Sequence, residues 1–184
     1  MLKHLINYGC LGLVVAFGVK AINIPSVKMP VGMEQPNTAA DKNVDILISA
    51  IIKQESGRQY NLVNPHSGAL GFAQVMPENV GPWCREAGLG NVTQQEFLNS
   101  PSIQKKVIRF KIGQYYKEAL KLANGDTQIA ARMVASAWYS GQYKKYNDTR
   151  KQFYPDSLGV LHEYPSIDTY TMLALKSAKA MGFK

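Results

Sequence analysis

Between residues 43 and 57 the apolar side chains Leu47, Ile48, Ile51 and Ile52 return at the three-to-four spacing of one buried helical face. Asn43 or Asp41 can cap this helix, and Gly57 supplies its stop. Glu55 comes four residues after Ile51 and three after Ile52, so it continues the apolar face rather than the wet one. Residues 58–76 lose the period and hold Asn61, Asn64-Pro65, Ser67-Gly68 and Gly71, the signature of a loop or short hairpin. A helical signal returns at Pro77 and ends near Gly88, with Gly81-Pro82 expected to distort or break it. Thr93-Gln94-Gln95-Glu96 has the form of a capping box for a short helix. Ser100-Pro101 opens a long one, in which Ile103, Val107, Ile108, Ile112, Tyr115, Tyr116, Ala119 and Leu120 keep helical spacing until Gly125. Asp126 can cap the next, which carries Ile129, Ala130, Met133, Val134 and Ala137 up to Gly141. A last helix runs from about Ser166 to Met181 and stops at Gly182. Residues 142–165 are tyrosine-rich and polar, without a clear period. The expected fold is mostly α, a single domain with at most a small β-hairpin near residues 60–74.

Upstream of these helices the pattern changes. Lys3 and His4 precede an apolar run from Cys10 to Val19, and Val19-Lys20-Ala21 offers small or apolar residues where a signal peptidase reads. The run is about half of the ~20 residues a spanning helix needs. Residues 1–24 are therefore expected to be a secretory signal peptide, with an uncleaved N-terminal anchor as the alternative. Residues 25–42, with Pro25, Pro30, Pro36 and Gly32, read as a flexible linker, which leaves 43–184 as the folded domain. The expected location is outside the cytoplasm, in the periplasm or cell envelope.

The 184-residue chain carries a net charge of +8, which favours an anionic partner. The basic residues are scattered, and no nucleic-acid signature is present, so specific nucleic-acid binding is not expected. Once a leader is removed, Cys84 is the one cysteine left, no intrachain disulfide can form, and the thiol reads as a small hydrophobe rather than a nucleophile. His66 and His162 lie too far apart in type and context to suggest a metal site, and no carboxylate–histidine spacing recommends one. No cofactor or metal is expected.

The candidate chemistry centres on Glu55. A carboxyl on a buried face holds its proton more tightly than a solvated one, because burial disfavours the charged form. It is then a candidate general acid, the alternative being a solvated glutamate at a helix end. Between Glu55 and Gly71 there is no other Asp or Glu to act as a nucleophile. Ser67, Gly68 and Gly71 suit a backbone that approaches a sugar closely, or an ordinary turn. Gln74 can both donate to and accept from hydroxyl or acetamido groups.

Glu55-Ser56-Gly57, then Ser67-Gly68-Ala69-Leu70-Gly71-Phe72-Ala73-Gln74-Val75-Met76-Pro77, then Ala137-Trp138-Tyr139-Ser140-Gly141 together resemble the catalytic domain of the soluble lytic transglycosylases, over roughly residues 43–175. The resemblance implies a lysozyme-like fold and cleavage of peptidoglycan between N-acetylmuramic acid and N-acetylglucosamine. Glu55 stands at the family's single acid/base, with Ser67, Gln74, Trp138, Tyr139 and Tyr170 as substrate-binding candidates. It also implies that the substrate's N-acetyl group assists departure of the leaving sugar. The 6-hydroxyl of the muramic acid then closes a 1,6-anhydro ring. The third motif departs from the family's usual Ala-Tyr-Asn-Ala-Gly. Trp138 holds the aromatic position without a hydroxyl, and Tyr139 either supplies that hydroxyl from the next position or packs in the core. Tyr170 matches a late family tyrosine near the catalytic glutamate, or is a helix-packing residue. Trp83, Tyr143, Tyr146 and Tyr154 are further candidates for stacking on sugars. Glycan strands are the expected partner, with wall remodelling or passage of an envelope-spanning secretion or conjugation machine as the setting. The rival readings are a hydrolytic lysozyme of the same fold and a catalytically impaired peptidoglycan-binding scaffold.

Overall fold

The first helix begins where a side chain satisfies its open amides. Thr38 accepts a hydrogen bond from the Asp41 amide at 3.1 Å, and the Asp41 carboxylate accepts from the Thr38 amide at 3.1 Å. This reciprocal box starts α1, Ala39–Ser56. Asp41 is thus the third residue of the helix rather than its cap, and the tail of the expected linker, residues 38–42, is already folded. The computed structural model describes residues 38–156 and 159–184; the leader and the rest of the linker lie outside them. Among the described residues no helix is long and apolar enough to cross a membrane.

Five further helices follow: α2 Pro77–Glu86, α3 Gln94–Asn99, α4 Pro101–Leu122, α5 Thr127–Ser140 and α6 Ile167–Ala180. The sequence signals hold at their ends. Thr93 and Glu96 form the expected box, Ser100, Asp126 and Ser166 cap with their side chains, and Gly57 and Gly141 terminate helices in the left-handed conformation. Of the distortion or break expected at Gly81-Pro82, the break does not occur: α2 runs through both residues. Val80 and Cys84, 1 % and 0 % exposed, flank the proline and pin both halves of the helix into the core. That burial outweighs the lost backbone hydrogen bond.

The fold is built around α5, which is buried continuously from Met133 to Ser140. Small residues at Ala130, Ala131, Ala135, Ser136 and Ala137 let neighbours approach on every side, the pattern of a helix that is apolar all round. α4 and α6 pack on it, and α1 packs between those two. Phe97, Leu47, Ile51, Ile108, Ile112 and Val134 fill the main core.

The expected small β component exists but lies elsewhere. Residues 60–74 contain isolated bridges only, Val63 to Leu70 and Leu70 to Val75. The two-stranded antiparallel sheet is formed by β1 Gln152–Pro155 and β2 Leu161–Tyr164, with Phe153 opposite Glu163 and Tyr154 opposite His162. Its strands are four residues long and turn Phe153 and Leu161 outward to water, 54 % and 65 % exposed, so they lack the apolar-in, polar-out alternation that marks a strand.

Candidate active site

Glu55 is positioned by the register of α1. One turn after Ile51, it points into the protein and is 2 % exposed. It is the one buried carboxylate among the described residues. The Tyr170 hydroxyl donates a short hydrogen bond to its Oε1. Its neighbour Gln54 donates from Nε2 to the main-chain carbonyl of Tyr170 at 3.2 Å. Two successive side chains of α1 therefore grip one residue of α6, and the carboxyl cannot rotate without losing its partner.

Burial, then the charge of Glu55 and the hydrogen bond to it, and finally Tyr139, hold the Tyr170 hydroxyl well above the usual tyrosine range. It stays protonated, and so a donor, throughout the neutral range. Two effects act on Glu55 in opposite senses: burial favours its neutral form, while a donated hydrogen bond favours the carboxylate.

Tyr139 lies against the far side of this pair. Its ring stacks on Tyr170 with centroids 4.3 Å apart and planes 15° off parallel, and its hydroxyl donates to the Pro165 carbonyl at 3.1 Å. The hydroxyl seen on the carboxyl is that of Tyr170, and Tyr139 braces its ring. Arg132 fixes the register of α5 on α6 by pairing with Asp168 at 2.6 Å while also bonding Thr171 and the Tyr146 carbonyl. Trp138, expected to touch substrate, is packed against the protein's own aromatics. It is 7 % exposed, packs against Trp83 and Tyr115, and spends its indole N–H on the Ala73 carbonyl at 3.1 Å. It ties α5 to the loop that precedes α2.

That loop, residues 58–76, is shaped by side-chain hydrogen bonds. Asn64 Oδ1 accepts from the amides of His66 and Ser67 at 2.9 and 3.2 Å, and Ser67 Oγ accepts from the Ala69 amide at 3.2 Å. Ser67 is half-buried and so far a turn residue. Gly71 has φ 73°, and a Cβ there would stand 2.1 Å from Gln104 Oε1. Gln104 is 0 % exposed. It accepts from the Phe72 amide at 2.8 Å and donates to the carbonyls of Tyr60, Phe97 and Leu98 at 2.9, 3.1 and 3.1 Å. It moulds the loop onto α3 and α4, a role invisible in the sequence because Gln104 reads as one more polar residue on a long helix.

Gln74 is the most unusual residue of the loop. Its φ is 53°, a left-handed conformation that residues other than glycine seldom adopt. It is 2 % exposed, and its Nε2 donates to the carbonyls of Gly71 and Leu62 at 3.0 and 3.5 Å. Those two acceptors fix which end of the amide is nitrogen. Its Oε1 is buried with no hydrogen-bond partner among the described residues, a costly state for an acceptor.

The other aromatics are engaged within the protein. Trp83 lies under Lys111, Tyr143 packs edge-on against Tyr115, Arg132 covers Tyr146, and Tyr154 packs on Tyr164 in the hairpin. Cys84 is a free thiol in the core, and burial raises its pKa, the setting of a structural rather than a reactive cysteine. The expected separation of the two histidines needs a correction. Folding brings His66 and His162, distant in sequence, into contact with ring centroids 5.1 Å apart, and Asp156 joins them. The position of His66 in sequence could not announce this, since it comes from the loop before α2 whereas Asp156 and His162 belong to the hairpin.

No protein-family model matches the chain, and no curated protein is significantly similar to it.

Proposed function

We propose that the chain is a peptidoglycan lytic transglycosylase acting in the cell envelope. Glu55 delivers a proton to the oxygen linking N-acetylmuramic acid to N-acetylglucosamine as positive charge grows on the muramic ring. In the second step the same side chain, now a carboxylate, removes the proton from the 6-hydroxyl, which closes the 1,6-anhydro ring. One carboxyl thus serves as acid and then base, where most glycosidases divide the work between two. The substrate's acetamido group assists departure of the leaving sugar.

The observation that carries this reading is the isolation of Glu55: a carboxyl 2 % exposed, held by Tyr170, and the one buried acid among the described residues. Gln74 adds support, since a buried acceptor without a partner suits an N–H or O–H of the sugar. The backbone strain at the same residue fits a binding position, where such strain tends to collect.

The test is mass spectrometry of the fragments released from purified sacculi by the protein and by Glu55→Gln. The expected products are anhydromuramic ends from the parent and none from the variant, whose amide cannot carry the proton. Reducing ends in place of anhydro ends assign the protein as a hydrolytic lysozyme. Equal release by parent and variant removes Glu55 from the mechanism, and no release by the parent favours the scaffold.

A further inference from the structure

His66 lies in the turn between α1 and α2, whereas Asp156 directly follows β1 and His162 sits in β2. One donor atom from each lies within 4.8 Å of the others. His162 Nε2 and Asp156 Oδ2 are already 2.9 Å apart. A tetrahedral zinc ion with bonds of about 2.0–2.1 Å sets its donors about 3.3 Å from one another. From donors within 4.8 Å of one another, closing the widest gap to that distance takes at most about 1.5 Å, while the His162–Asp156 pair opens slightly.

Both halves of the cluster are braced from behind. Asp156 Oδ1 accepts from the Val160 amide at 3.0 Å, which leaves Oδ2 turned toward His162. Main-chain bonds from Asp156 to Val160 and from Gly159 to Asp156 close the same turn. The His66 amide is held by Asn64, itself 1 % exposed. A carboxylate ligand oriented by such an outer hydrogen bond is common in metal sites. Two imidazoles and one carboxylate favour zinc and its first-row neighbours over magnesium or calcium, which prefer oxygen donors.

We propose that His66, Asp156 and His162 bind a divalent transition metal of the zinc class, which staples the β1–β2 hairpin to the turn that carries Ser67. A two-stranded hairpin is marginal by itself in water, and this one also exposes Phe153, Val160 and Leu161. A metal bridging two separate segments fixes it to the helical body without needing an apolar interface. The site stands apart from glycan cleavage, because its evidence is binding and hairpin protection whatever the protein cuts.

The test is calorimetric titration of the full chain, stripped with a chelator, with zinc and separately with magnesium. It is run on the parent, His66→Ala, His162→Ala and Asp156→Asn, with His4→Ala included because His4 is the remaining histidine of the chain. The expected result is one zinc per chain at micromolar affinity or better, no magnesium binding, and at least about tenfold weaker zinc binding in each of the three site variants. His4→Ala should bind as the parent does. Cobalt(II) should give the intense visible absorption of a tetrahedral site, and zinc should slow amide exchange across residues 152–164. His66 is exposed and His162 half-buried, so these variants should retain the helical circular dichroism of the parent. Absence of heat with zinc up to about 100 μM, or equal affinity in His66→Ala and His162→Ala, overturns the proposal.

Discussion

Two buried glutamines meet Gly71, one from α4 and one from the loop itself, and they are used differently. Gln104 has both ends of its amide engaged and joins the loop to α3 and α4. Gln74, almost as buried, engages its nitrogen only and stands on a left-handed backbone. The same side chain thus serves as a finished structural joint in one place and as an open acceptor in the other. The difference separates what the fold requires from what the fold tolerates for another purpose, because a strained residue with an unsatisfied atom contributes little to stability.

The largest effect should come from emptying the joint. Gln104→Leu leaves the Phe72 amide and the carbonyls of Tyr60, Phe97 and Leu98 without that partner in the interior, and should cost about 3–5 kcal/mol in denaturant unfolding. A loss under about 1 kcal/mol would break the comparison, since the loop would then be held by other means.

Next in size is Gly71→Ala, which adds a Cβ against Gln104 Oε1 at a position with φ 73°. The expected loss is about 2–4 kcal/mol. In the double variant with Gln104→Ala the collision disappears, so the two costs should fall short of adding by about 1 kcal/mol or more. Strict additivity would place Gly71 and Gln104 in separate structural units.

Tyr170 extends the comparison to a second closed pair. Its hydroxyl pKa is raised in the folded state, so folding binds that proton more tightly than the unfolded chain does. The resulting stability is fully present below the ordinary tyrosine pKa and is lost as pH rises from there toward the folded value. Unfolding of Tyr170→Phe should therefore depend less steeply on pH above about 10 than unfolding of the parent. Identical slopes would mean that the Tyr170 proton is not coupled to folding.

The smallest change in stability is expected at Gln74. Gln74→Gly relieves the left-handed strain while removing two donated hydrogen bonds, and should leave stability within about 1 kcal/mol of the parent. Its kcat/KM on glycan strands should nevertheless fall about tenfold. If stability collapses while kcat/KM per folded molecule is kept, Gln74 is a joint like Gln104 and the distinction fails.

Much of the scaffold was legible because helix boundaries are local chemistry. Thr93, Ser100, Asp126, Ser166, Gly57 and Gly141 each act on backbone groups within a few residues, and each does what its type predicts. Glu55 was legible for a similar reason, since the face it occupies follows from its spacing to Ile51. Trp138 was less legible, because the residue type that stacks on sugars is also one that fills cores, and its N–H on the Ala73 carbonyl is a contact no sequence pattern announces. The hairpin, Gln104 and the His66–Asp156–His162 group were illegible. Gln104 and the contact of His66 with the hairpin depend on which distant segments the fold brings together, and such pairings leave no periodic trace, while the four-residue strands turn Phe153 and Leu161 to water and so show no apolar-in alternation.

Cys84 has one more consequence. Because it is the one cysteine among the described residues and is packed fully inside between α2 and its neighbours, oxidising or reducing surroundings change nothing in the covalent framework of that region. The thiol becomes a built-in stopwatch instead. A reagent in solution can modify it only when the surrounding helices part, so the labelling rate counts those excursions directly, without a probe having to be introduced.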